Sequence, residues 1–509
     1  MGKIRGVWTS LSVLVRSAIV LGMVGALTIA VVIVVPPLLR CAEGVDRVDG
    51  QCVGVTDGAD PAVFGDRFTD VLTGIGAENR SIMSSGKAFV SVAYLLPVPA
   101  VGMNDDLATA LRHGLIGAYI AQRQANHTRT LGDEPLIRLL VVNSGSSSAQ
   151  WAEEEVVPTL VKMARDEERF AEHHLVAATI SGQSLAATRD AADALLARDV
   201  PLIAAQLTAD QLTSRPPSAD LTLARVAPTN SDQALAASAF LRPTARKALI
   251  IQKTDENDTY SASLGAAFRA SFPDDTHEIV ERSETYSEAR GGVANTMRGI
   301  LGSVCAQKPD VVYFAGRASA LGALVQALPF RTCPELPIRI VTGDEAVDFA
   351  TAVARGSSEL REGLEANASV TYTALAHPGA WMAFPSVFAP GSTRFLSGRC
   401  PDCLLGVFPG EGLSDGAAIM SYDALLTAIR AVRSPFSIND TPDLVAQELK
   451  RIHGLDSVPG ASGWVSLAST GEAINKAVPV LRVQPDGRVE FVALSSPAGT
   501  PCVPNQTPC

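Results

Sequence analysis

Residues 175–208 read LVAATISGQSLAATRDAADALLARDVPLIAAQLT. Two short apolar runs, Leu175 to Ile180 and Pro201 to Ala205, enclose a small-residue turn and about a dozen residues of Ala/Leu helical pattern. Unbroken apolar runs suit strands covered on both faces, and the helical spacing suits a right-handed βαβ crossover, so the sheet is expected to be parallel. In open parallel sheets, ligands collect where strands end and helix N-termini present free N–H groups. Ser181, Gly182 and Ser184 fall at such a place, and Gln206 and Thr208, past the neighbouring strand, face the same crevice.

The chain has 509 residues and 47% hydrophobic content, enough for two to four domains and incompatible with wholesale disorder. Its net charge of −11 argues against a nucleic-acid partner. Of 42 basic residues 8 are Lys and 34 Arg, a bias that, with abundant Ala, Val and Gly, points to a GC-rich bacterial genome.

Lys3, Arg5 and Arg16 precede an uncharged stretch, residues 17–35, SAIVLGMVGALTIAVVIVV. As a helix it rises about 28 Å, close to the hydrocarbon thickness of a bilayer. The reading is a single-pass anchor at the cell membrane: a cytoplasmic tail at 1–16, a transmembrane helix at 17–35, and everything later extracytoplasmic. The alternative is a cleaved signal peptide, but the stretch ends Pro36-Pro37-Leu38-Leu39-Arg40 instead of in small residues. Arg40 before Cys41 also departs from a lipoprotein signal.

All eight cysteines lie after the anchor, in a compartment where disulfides persist. Sequence proximity pairs Cys41 with Cys52, Cys305 with Cys333, and Cys502 with Cys509. Cys400 and Cys403 form a lone C-x-x-C with no second such pair for zinc and no thioredoxin-like surroundings, so a structural disulfide is expected there. Residues 36–86, Gly/Asp-rich with an amphipathic segment from Phe64 to Asn79, read as a stapled stalk and lead-in helix.

From Lys87 strand and helix alternate: KAFVSVAYLLP, a helix from Asp105 to Asn126, LIRLLVVN, a helix from Trp151 to Arg165, then the opening stretch, TLARVAP, KALIIQ, HEIVER, DVVYFAG and IRIVTGD, with helices between. This is the spacing of doubly wound sheets. There are too many elements for one ordinary sheet, so two α/β lobes are expected, with Pro228 and Gly343 marking chain crossings.

The order of GAYIAQRQAN (residues 117–126), TISGQS, PLIAAQLTADQLT (201–213), RVAPTNSDQA (225–234), PDVVYFAGR (309–317), LSDGAAIMSYDALLTAI (413–429) and GASGWVSLASTGEA (460–473) resembles the type I periplasmic solute-binding proteins of branched-chain amino-acid ABC importers. The resemblance spans roughly residues 87–492. It implies two Rossmann-like lobes joined by a three-stranded hinge: lobe 1 from 87–226 and 343–455, lobe 2 from 227–342 and 456–495, then a tail at 496–509. It implies capture of an amino-acid-like solute for an ABC permease, with no enzymatic activity, cofactor or metal. Ser181, Ser184 and Thr208 match positions that hold a ligand carboxylate in the family, with Gly182 in the turn and Gln206 beside it. Tyr260 would cover the ligand, and Arg317 and Asp344 would supply charge.

Each of these residues has a plainer reading: Ser181 and Ser184 as helix caps, Thr208 as a turn residue, Tyr260 as a packed aromatic, Arg317 and Asp344 as a structural ion pair. His173 and His174 are adjacent on an extended segment and point to opposite faces, which disfavours a shared metal. Two other functions are compatible with the sequence. One is a sensing receptor ectodomain on the same fold. The other is a serine hydrolase: Gly182-Gln183-Ser184-Leu185-Ala186 differs from the G-x-S-x-G nucleophile elbow at its last position, with Asp344 or Asp423 and His377 or His453 as triad partners.

Overall fold

The computed structural model describes residues 40–98, 105–145, 155–214, 222–281, 283–434, 441–506 and 509, together with 12, 15 and 17. The apolar runs become strands buried on both sides: all eight residues of β5 (Leu136–Asn143) and all six of β6 (Leu175–Ile180) are buried, as is all but the first of β4 (Phe89–Leu96). With β7 (Leu202–Ala204) and β8 (Leu223–Arg225) they form a parallel array in the order β5-β4-β6-β7-β8. The order doubles back at β4, so helices cover both faces and the crossovers open a crevice at the strands' carboxyl ends.

A second sheet repeats the plan. Here β9 (Lys247–Lys253), β12 (Val311–Ala315), β13 (Ile338–Thr342) and β14 (Ala368–Thr373) run parallel, and the hairpin β15 (Val478–Val483) and β16 (Val489–Ser495) adds to β14 antiparallel. The expected HEIVER strand is reduced to β10 (Glu278–Ile279), with β11 (Glu284–Tyr286) following; both pair with β9.

Three expected boundaries shift, the last being 455/456, because Val458, Ala461, Val465 and Leu467 still pack in the first core. The first concerns the stalk at 36–86: β1 (Arg40–Ala42), β2 (Val45–Val48) and β3 (Gln51–Thr56) form an antiparallel extension whose last strand pairs with β5. Val45, Val53 and Val55 turn inward, and the extension covers what would otherwise be an open sheet edge. The helix expected from Phe64 begins at Thr69 and runs to Ser85, packing into the core of the first sheet. The second is Gly343. Residues 343–373 do not return to the first lobe, because β13 and β14 are hydrogen-bonded neighbours in the second sheet. The crossing comes one βα unit later: Ala374 packs in the second core and Leu375 in the first.

The chain therefore changes sides three times, after Ala227, after Ala374 and between Leu467 and Val478. Its middle return delivers the helix Ala417–Val432, buried over nearly its whole length because it lies along Asp105–His127. Gly117 permits this approach, since a Cβ there would strike the Ala418 carbonyl. The four disulfides pair Cys41 with Cys52, Cys305 with Cys333, Cys400 with Cys403 and Cys502 with Cys509. Asp402, inside the Cys400–Cys403 loop, bonds Arg123 and His127 on the long helix, so that loop works as a clip. The anchor at 17–35 lies, apart from Ser17, outside the described residues; among those described, no helix is long and apolar enough to cross a membrane.

Candidate functional site

The carboxyl ends of the two parallel arrays face one another. Ser181 follows β6, Gln206 and Thr208 follow β7, Tyr260 follows β9, Arg317 follows β12 and Asp344 follows β13. Of the eight residues singled out from the sequence, Gly182, Gln206, Arg317 and Asp344 line the spaces between the lobes, while Ser181, Ser184, Thr208 and Tyr260 lie behind them and bond to their neighbours. The Ser181 hydroxyl donates to Gln206 Oε1 at 3.1 Å, and Gln206 Nε2 donates to the Ala417 carbonyl at 3.2 Å. Ser184 Oγ accepts from the backbone N–H groups of Thr208 and Ala209 at 3.0 and 3.2 Å, stitching turn to turn. Gly182 has φ +121, a conformation that side chains disfavour, and a Cβ there would press on Pro97 at 3.0 Å.

The second sheet supplies charge. Arg317, 8% exposed, donates through Nε and Nη2 to both oxygens of Asp258 at 2.9 and 2.8 Å, and through Nη1 to Glu345. Its guanidinium lies 4.8 Å from the centre of the Tyr260 ring, a cation–π geometry. Burial works against its charge, yet Glu345 and Asp258 outweigh burial and raise its pKa. Burial likewise pushes the Asp258 carboxyl up, but Arg317, then the Ser261 N–H and Lys253 hold it below the ordinary range. Lys253 reaches Glu288 at 2.6 Å and Asp258 at 3.1 Å.

Bonds cross the crevice at several points. Arg317 Nη2 donates to the Ser184 carbonyl at 2.9 Å, Thr208 Oγ1 to Asp344 at 3.4 Å, Gln183 Nε2 to Glu345 at 3.4 Å, and the Ala186 N–H to the Asn257 carbonyl at 3.1 Å. These contacts close the lobes. Asp344 also accepts from Gln233 at 2.7 Å. Burial first, and then the neighbouring Glu345, push its carboxyl up to about 7.

Among the described residues two spaces lie between the lobes, a larger one of about 640 Å³ and a smaller one of about 90 Å³. Gln183, Glu345 and Asp348 line both. The larger lies within the range of about 300–1,000 Å³ usual for small-molecule sites.

Ser184 is not set up as a hydrolase nucleophile. Its hydroxyl is engaged by two main-chain N–H groups, His377 Nδ1 accepts from the Gly379 N–H, and Asp423 binds the backbone at Ala461 and Ser462. Nor do His173 and His174 form a pair: His173 neighbours Glu172, and the His174 ring packs against Phe89 and Phe170. Among the described residues no group of three or more His, Cys, Asp or Glu side chains is placed to hold a metal ion.

Sequence reasoning missed Asp258, Glu345, Gln233 and Lys253. Asp258 carried a signal, since an Asp directly before the Thr259–Ser271 helix is an N-cap, and its carboxylate accepts from Ser261 N at 3.0 Å. Glu345 carried one too, a second acid beside Asp344 just past a buried strand.

No family model matches the sequence, and a search of curated proteins found no match. Solved structures do match. The leucine-binding protein LivK of Thermotoga maritima aligns at 19% identity over 80% of this chain and 98% of its own, with a TM-score of 0.56. The branched-chain amino-acid substrate-binding protein LivJ of Streptococcus pneumoniae, solved with isoleucine, aligns at 16% over 80% and 99%, with a TM-score of 0.55. A solute-binding protein of R. palustris, solved with 4-hydroxybenzoate, aligns at 14% over 80% and 96%, with a TM-score of 0.54.

The chain has the type I periplasmic-binding fold. Each lobe puts its strand ends on one wall of the crevice. Here Arg317 and Asp344, both from the second lobe, reach the turn residues of the first.

Proposed function

We propose that this chain is an extracytoplasmic solute-binding protein that captures a small polar solute, amino-acid-like in size, by closure of its two lobes, and delivers it to an ABC permease. One observation carries the reading: hydrogen-bonding groups on both walls meet across the crevice, with Arg317 of one lobe on the Ser184 carbonyl of the other. A solute that inserts among these groups contacts both lobes only when they are shut, which is the differential affinity that closure requires. The solved relatives of this fold, described as leucine-binding and branched-chain amino-acid substrate-binding proteins, support the same class of function. Basic residues ahead of the apolar stretch 17–35, together with four disulfides, support a single-pass anchor with the lobes outside the cytoplasm.

Calorimetry and small-angle scattering on the full chain in detergent, against a panel of amino acids and small amines, test the reading. Saturable binding accompanied by a smaller radius of gyration is the expected result. Heat without compaction, or turnover of a panel member, overturns it. Protease accessibility of the folded part in sealed cells checks the topology.

A further inference from the structure

The smaller space between the lobes has a charge problem that its neighbours leave unsolved. Asp344, Glu345, Asp348 and Asp415 line it, and among the described residues lining it there is no Lys, Arg or His. Glu345 is matched by Arg317, and Asp415 is matched by His113 through Nδ1. Among the described residues the side-chain donors to Asp344 are the neutral Thr208 and Gln233. A carboxylate held this way lacks the counter-charge that burial demands.

A second, independent observation points into the same space. Tyr372, at the end of β14, is 1% exposed and lines the same space, and among the described residues its hydroxyl has no hydrogen-bond partner. Burial and then the nearby Asp415 raise its pKa, so it stays a neutral phenol with a free lone pair. Buried polar atoms without partners are rare enough to require an explanation. A guest with N–H donors and a positive charge satisfies both groups at once, whereas a carboxylate guest would meet four acids.

Volume says how much of the guest sits there. About 90 Å³ holds roughly three waters, enough for an ammonium head and a carbon or two. The side chains of Gln183, Glu345 and Asp348 stand between this space and the 640 Å³ one, and the Gln183–Glu345 bond across the gap is long at 3.4 Å. The larger space is also acid-rich, with Asp255, Asp258, Glu288, Glu345 and Asp348 set against Lys253 and Arg317.

We propose that the cleft takes a linear organic cation of the di- or polyamine class, one ammonium between Asp344 and Tyr372 and the chain running past Gln183 into the larger space. The proposal rests on solute capture by closure and names the class of solute.

The test is calorimetry of the full chain in detergent at pH 8 with four probes: 1,4-diaminobutane, spermidine, the uncharged 1,4-butanediol, and leucine. At least one amine is expected to bind about tenfold or more tighter than the diol and leucine. Asp344→Asn should weaken that amine about tenfold or more, the loss of a charge-assisted bond. Tyr372→Phe, nearly isosteric, should weaken it less while leaving the melting profile in place. Preference for leucine, equal binding of the diol, or amine binding unchanged in both variants overturns the cation assignment and leaves solute capture standing. No binding of any probe overturns the cation assignment. Solute capture itself then stands or falls on the compaction experiment with the wider panel.

Discussion

Arg317 Nη2 lies 2.9 Å from the Ser184 carbonyl oxygen and bridges the two lobes, while the rest of its guanidinium is held by Asp258 and Glu345. This one side chain serves both as a link across the mouth and as the counter-charge for the buried Asp258 and the half-buried Glu345.

Replacing it separates the functions. Arg317→Met leaves Glu345 without its cation and Asp258 with Lys253 alone, and stability should fall by about 3 kcal/mol or more. The unliganded protein should also open, read as a larger radius of gyration by small-angle scattering. Unchanged dimensions would show that the remaining cross-cleft bonds suffice to hold the lobes together.

Asp344 sets a pH dependence of opposite sign to the usual carboxylate. Its carboxyl is ordinary, near 3.8, in the unfolded chain and is raised to about 7 in the folded one. Between those values the folded state holds the extra proton, so stability falls as pH rises through this window. Asp344→Asn should therefore melt higher than the parent at pH 8, with the gain shrinking toward pH 4. Melting curves at pH 4, 6 and 8 check it, and a gain that stays constant with pH contradicts the assignment.

Asp423 is structural. It accepts from Ala461 N and Ser462 N, each at 2.7 Å, and from the Ser462 hydroxyl, within the almost wholly buried Ala417–Val432 helix. Asp423→Ala strands those donors and should cost about 3 kcal/mol or more. Chemical denaturation measures it. A loss below about 1 kcal/mol would mean that the loop finds other acceptors.

His127 ties the long helix to the C-x-x-C clip. Glu78, despite burial, and then Asp402 raise its pKa to about 9. The folded state holds this proton more tightly than the unfolded one. Its contribution is complete below the ordinary value of 6.5 and is lost as pH rises through about 9. Because the imidazole is about one-third exposed, the effect should be on the order of 1 kcal/mol. His127→Gln should be less stable than the parent at pH 6 and equal to it at pH 10, by urea titration.

Much of this was legible in the chain, for reasons that differ by residue. Runs such as Leu136–Asn143 are apolar throughout because both faces are covered, and that pattern belongs to parallel strands. The position of Ser184 and Thr208 at strand ends followed from the same logic. What their hydroxyls do did not follow, because the partners lie far apart in the chain: Thr208 bonds Asp344 and Ser184 accepts from Ala209. The return at Gly343 was misplaced because a strand followed by glycine looks alike whether the chain next joins its own sheet or leaves it. Residues 40–56 were hidden by their Gly and Asp content, since a short twisted edge needs only a few inward valines.

The three passages between sheets also constrain ancestry and engineering. A half made of residues 40–227 and 375–467 cannot be exchanged for a cousin's by a single splice; a hybrid needs breakpoints at every passage, all kept in frame. Truncation at the middle passage leaves both hydrophobic interiors incomplete, so the two walls of the mouth must be inherited, translated and mutated together.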